Sequence, residues 1–195
     1  MAQLFLPFAT RGKQIELRAI EIKAACGCGP YDAVAPLELA DRMDVGIVDA
    51  EAFFASLPER LRVALLETHS RSWSAGSITV ADRLYVLLNP TQSEARSSPT
   101  LLEELVHDAL GHPKSQLIEQ DGVVIRTCQH DIEDEAYCVA TALLMPYREL
   151  FNHLNAGLQL ADLPVPAPVS DECRLFRVKR AGLWRLYSAR QRQAS

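Results

Sequence analysis

The sequence predicts an α+β fold: a small, mostly antiparallel sheet packed against two long helices, with further helices at both ends. Two observations predict it. Residues 101–110 and 131–145 carry apolar side chains at helical spacing, and the runs WSAGSITV and RLYVLLNP are β-branched and aromatic, separated only by Ala81-Asp82. A chain of 195 residues, 48% hydrophobic and 23% charged, is long enough to bury a core as one domain, or as one domain with an appended subdomain.

The elements follow in order. KQIELRAIEIKAAC (13–26) repeats Ile15, Ala19, Ile22 and Cys26 at helical spacing. CGCG then reads as a helix end capped by Gly27 or Gly29 and stopped by Pro30, the competing reading being a cysteine metal ligand pair. Pro36 opens a short helix, LELADRM, and VGIV (45–48) reads as a strand. Pro58 opens a helix to about Thr68, and residues 73–90 read as the hairpin, ended by Asn89-Pro90.

TQSEARSSP reads as a polar loop, with Pro99 and Thr100 starting the first long helix and Gly111-His112-Pro113 stopping it. Before the second long helix, ended by Pro146, there is room for a strand, GVVIRT. LPVPAP (163–168) is a proline-rich connector. Beyond it, Ser170 is an expected N-cap and Gly182 a break between helices.

No apolar run approaches the roughly eighteen residues that span a bilayer, and MAQLFLPFATRGKQ does not read as a secretory signal. Five scattered cysteines (26, 28, 128, 138 and 173) are expected as reduced thiols. A cytoplasmic protein with no membrane association is the expectation. The net charge of −5 conceals an asymmetry: residues 174–195 hold seven basic residues and no acid, leaving thirteen basic against twenty-five acidic residues before them. Such a tail is either a solvated helix face or a weak contact for nucleic acid or an acidic partner.

The chemistry lies in LLEELVHDALGH (101–112). With about 100° per residue from Leu101, the apolar Leu105, Ala109, Leu102, Val106 and Leu110 fill the arc to about 180°. Glu103 follows at about 200° and His107 at about 240°, i,i+4 neighbours whose side chains can reach one ion or simply stabilise the helix as a pair. On the second helix, Glu133 falls between Ala140 and Leu144 with Tyr137 beside it, a carboxylate directed into packed surroundings that needs a cation. Asp134 and Glu135 are also explained by the helix dipole.

LLEELVHDALGHPKS followed by EDEAYCVATALLMP resembles the ImmA/IrrE family of metallo-endopeptidases, which pairs a helical HExxH with a downstream ExxA helix ending in LLMP. PLELADRMDVGIV, the Asn-Pro after a strand and Arg96 extend the likeness over roughly residues 34–148, and VSDECRLFRVKRAGLWR resembles the helical tail of many members. The resemblance implies a zincin-like pair of site helices in a peptidase core at 1–148, followed by a helical extension at 149–195 with the basic tail. It makes Glu103, His107 and Glu133 the metal ligands and Glu104 the general base. Glu135 is the alternative third ligand, and His112, about 140° round the helix from His107 and past the glycine stop, is a less favoured one.

Complete family sites carry histidine where this chain has Glu103. A Glu, His, Glu set accepts a divalent metal, zinc foremost, and its two carboxylates also suit manganese or iron. The other outcome is that no metal binds and Glu103 pairs with a basic group. The resemblance further implies regulated cleavage of a partner protein, typically a helix-turn-helix repressor. The competing reading is a peptidase-like module that docks a regulator without cutting it.

Overall fold

The computed structural model describes residues 4–113, 117–120, 123–126 and 130–194. Its helices are α1 (Thr10–Ala25), α2 (Pro36–Arg42), α3 (Ala50–Ser56), α4 (Glu59–Val63, continued by a π turn to Thr68), α5 (Glu94–Ala109), α6 (His130–Leu144), α7 (Tyr147–Asn155), α8 (Asp171–Arg180) and α9 (Trp184–Ala194). The strands are β1 (Gly46–Ile47), β2 (Ala75–Val80), β3 (Arg83–Leu88), β4 (Leu117–Gln120) and β5 (Val123–Arg126). The fold is α+β, as expected.

Residues 75–88 form the expected hairpin: β2 and β3 pair antiparallel, joined by Ala81 and Asp82, both at positive φ. That geometry matches the right-handed twist of the strands. β1 adds to the other side of β3 in parallel, giving the order β1-β3-β2. The buried Asn89 ends β3 and holds the next loop: its amide donates to Ser70 and Trp73 carbonyls, and its Oδ1 accepts from Thr91. β4 and β5 make a separate antiparallel pair where one strand was expected.

The sheet lies on α5, and α5 packs on α6. Leu101, Leu102, Leu105 and Val106 of α5 meet Val139, Ala140, Leu143 and Leu144 of α6 in one core. α1 and α8 also pack on α6, so the middle of that helix is buried almost all round. Residues beyond 149 contribute Leu150, Leu154, Cys173 and Val178 to the same core.

α5 begins at Glu94, five residues before its expected start. Pro99 reads as a start signal in sequence, yet its fixed φ is helical and it sits in the second turn, omitting one backbone bond while the residue is buried. α1 ends as expected at Gly27, whose φ of +72° closes the last turn with N–H bonds from Gly27 to Ala24 and from Cys28 to Lys23. Cys26 and Cys28 are half-buried free thiols.

Part of the basic tail is turned inward, while Lys179, Arg185 and Arg192 remain exposed. Arg177 is fully buried against Glu16, Arg180 joins Arg11 on Asp134, Arg174 donates to the Leu163 carbonyl, Arg190 donates to the Asn155 carbonyl, and Lys179 lies over Trp184. Among the described residues, no helix is long and apolar enough to cross a membrane.

Lys23 is a second buried cation, its Nζ donating to the carbonyls of Pro30 at 2.8 Å and Asp32 at 3.2 Å. Burial lowers its ammonium from the ordinary 10.5 to about 8, against partial compensation by Glu16. Between about pH 8 and 10.5 the unfolded chain therefore binds more protons at this site than the folded one, so Lys23 makes stability rise with pH across that window. The Lys23→Met variant is expected to lose a rise of roughly 2–4 kcal/mol relative to the parent. Urea unfolding of both proteins at pH 8, 9 and 10 reads this difference, and parallel curves would exclude it.

Candidate metal centre

α5 and α6 bring three ligand-bearing side chains together. Glu103 and His107 stand one turn apart on α5, as their spacing predicts, and Glu133 comes from the first turn of α6. One ligand atom from each lies within 4.8 Å of the others. This is the group of three or more His, Cys, Asp or Glu residues able to hold a metal ion among the described residues; Cys26 and Cys28 do not form one.

The donor set fits a divalent ion. Ligands at about 2.0–2.2 Å in a tetrahedron stand roughly 3.3–3.6 Å from one another. His107 Nε2 and Glu133 Oε2 are already 3.5 Å apart, and the flexible Glu103 arm can close the remaining distance. All three are half-buried, with side-chain exposures of 21% for His107 and 33% for Glu133, which leaves an approach from solvent. Glu133 is thus more open than its place on the helical wheel suggests. Packing around α6 becomes complete only from Ala136 onward, and the first turn extends beyond it.

The three successive acids of α6 have separate partners. Glu133 faces His107, Asp134 is held by Arg11 and Arg180, and Glu135 pairs with Arg18 at 2.6 Å and with His112 Nε2 at 3.5 Å. Glu135, the alternative third ligand, therefore lies outside the triad. Glu104 follows Glu103 on α5 and is half-buried.

His112 is much closer to the site than a continuous helix would allow. Gly111, at φ +63°, reverses the chain; its N–H bonds to Asp108 and that of His112 bonds back to the His107 carbonyl at 2.9 Å. This 6→1 closure folds residue 112 over the last turn, where the left-handed backbone favours glycine. The two imidazoles meet edge to face, Nδ1 to Nδ1 at 3.1 Å. Burial, then the neighbouring His107, pushes the His112 imidazolium below its usual range.

Tyr137, one turn after Glu133, packs edge-on against Phe176. Burial chiefly, with Cys173 and the Glu103 charge, raises its phenol well above the ordinary range. No family model, no curated protein and no solved structure matches the chain.

Proposed function

We propose that the chain is a metal-dependent endopeptidase-like protein acting on a partner transcriptional regulator. Glu103, His107 and Glu133 hold a divalent ion, zinc first and manganese or iron as the alternatives, and Glu104 is the general base. The observation that carries this reading is the convergence of two carboxylates and an imidazole from two packed helices within 4.8 Å. A bound ion supplies a Lewis acid that makes water more acidic and polarises a peptide carbonyl. Glu104 accepts a proton from the attacking water and returns it to the departing amine. The substrate class, a helix-turn-helix repressor or similar regulator, rests on the sequence resemblance.

A specific contact favours a second reading. His107 has Glu133 at 3.5 Å and His112 at 3.1 Å, so both of its ring nitrogens have protein partners with no ion, which would leave a docking module.

Metal analysis separates the two. Purified protein, loaded with zinc and passed over a desalting column, is expected to retain one equivalent per chain. His107→Ala and Glu133→Ala should retain none. Glu135→Ala should stay within about 100-fold of the parent affinity, as loss of a group outside the ligand set does. Parent protein without retained metal, and a regulator captured equally with and without chelator, would establish docking in place of hydrolysis.

A further inference from the structure

We infer that Glu135 and His112 form a relay that holds His107 with its proton on Nδ1 and its Nε2 open toward Glu103 and Glu133. This rests on the metal-centre reading and adds two positioning residues to it.

The assignment follows from counting donors and acceptors. As a ligand, His107 must present an unprotonated nitrogen, and Nε2 is the one facing Glu133 Oε2 at 3.5 Å. The single proton of a neutral imidazole then lies on Nδ1, which stands 3.1 Å from His112 Nδ1. His107 donates, so His112 Nδ1 accepts, and the proton of His112 lies on Nε2. That nitrogen is 3.5 Å from Glu135 Oε2, an acceptor with no proton of its own. The other Glu135 oxygen accepts from Arg18 Nε at 2.6 Å. Each contact in the chain therefore has one donor and one acceptor.

The opposite polarity fails at both ends. If His107 carried its proton on Nε2, that nitrogen could bind no ion. A neutral His112 would then donate from Nδ1 and direct a bare Nε2 lone pair at the Glu135 carboxylate. The fold fixes the relay through three elements: the Gly111 reversal seats His112, the first turn of α6 carries Glu135, and α1 carries Arg18. The His112 side chain is only 9% exposed, so water does not readily replace Glu135 as its partner. Outer partners that fix the tautomer of a ligating histidine usually contribute about 10–100-fold to metal affinity.

The experiment is zinc titration of the full chain against a chromophoric chelator, comparing parent, H112A, H112N and H112Q, with Glu133→Ala as the control that lacks a ligand. H112A should bind about 10–100-fold more weakly than the parent. H112N, whose amide oxygen can occupy the Nδ1 acceptor position, should recover most of that loss. H112Q reaches toward Glu135 but leaves His107 Nδ1 without its acceptor, so it should remain as weak as H112A. A purely space-filling role would instead favour the larger glutamine. Long-range proton–nitrogen NMR of the zinc-loaded parent should find His107 protonated on Nδ1 and His112 on Nε2. Equal affinities for parent and His112 variants, glutamine outperforming asparagine, or a proton on His107 Nε2 would overturn the relay while leaving the metal centre intact. A parent protein as weak as Glu133→Ala would overturn the metal centre itself, and the relay with it.

Discussion

Glu104→Gln is expected to lower peptide cleavage by about 10²–10⁴-fold while zinc uptake and thermal stability stay close to the parent, the range that loss of a general base gives. Glutamine keeps the size and polarity of the side chain and removes only its ability to take a proton. Glu104 is half-buried and four residues from the like-charged Asp108, so neutralising it should also relieve a few tenths of a kcal/mol of repulsion along α5. The adjacent Glu103 should respond in the opposite way. Glu103→Gln should lose metal, and cleavage with it, whereas Glu104→Gln should separate rate from metal content. Turnover of a degenerate fluorogenic peptide library, measured beside zinc stoichiometry, distinguishes the two. Unchanged turnover in Glu104→Gln would remove it from the reaction, and unchanged zinc in Glu103→Gln would remove that residue from the ligand set.

The different positions of these neighbouring glutamates on α5 were legible because they depend only on local periodicity. Glu103 and His107 share a face at i,i+4 wherever the helix lies in the molecule, and Glu133 was placed among inward positions of its own helix by the same rule. His112 lies outside the triad, as expected, but its placement departs from that rule. An angle of about 140° from His107 assumes a continuing helix, whereas Gly111 takes the left-handed backbone and folds the next residue back. The glycine itself was the available signal, since a Gly at this position commonly brings a bond from the following N–H to the carbonyl five residues earlier, here His107.

The early start of α5 was hidden by Pro99, because a proline compatible with the first turns of a helix reads the same as one that opens it. Arg177 was hidden by its company. It sits in a run of basic residues that suggests a solvated face, but Cys173 and Ala181 lie four residues away on either side and both are buried. Its place on the apolar stripe was therefore readable. Its partner was not, since Glu16 is 161 residues distant and no local pattern links them.

That pair carries the largest expected effect on stability. Glu16 and Arg177 are 3% and 0% exposed, and each has one further contact: the Glu16 carboxylate accepts the Tyr147 N–H at 3.2 Å, and Arg177 Nε donates to the Met145 carbonyl at 2.9 Å. Arg177→Met should cost about 3–5 kcal/mol, because it leaves a carboxylate uncompensated inside the protein. The double variant Glu16→Leu/Arg177→Met should be more stable than Arg177→Met alone, since the charge that needed compensation is gone. It should still fall short of the parent by about 1–3 kcal/mol for each backbone group left without its partner, the Tyr147 N–H and the Met145 carbonyl. Urea unfolding of the parent, Glu16→Leu, Arg177→Met and the double variant gives the coupling directly, and an Arg177→Met loss below about 1 kcal/mol would mean that water or Lys23 takes over the role of the guanidinium. The ion pair holds the far end of α6, and twelve residues separate Met145 from Glu133, or about 18 Å along a helix. Zinc affinity of the folded Arg177→Met protein should therefore match that of the parent: the clasp stabilises the fold, while the geometry of Glu133 is set locally by the first turn of α6 and the arginines bound to its neighbours.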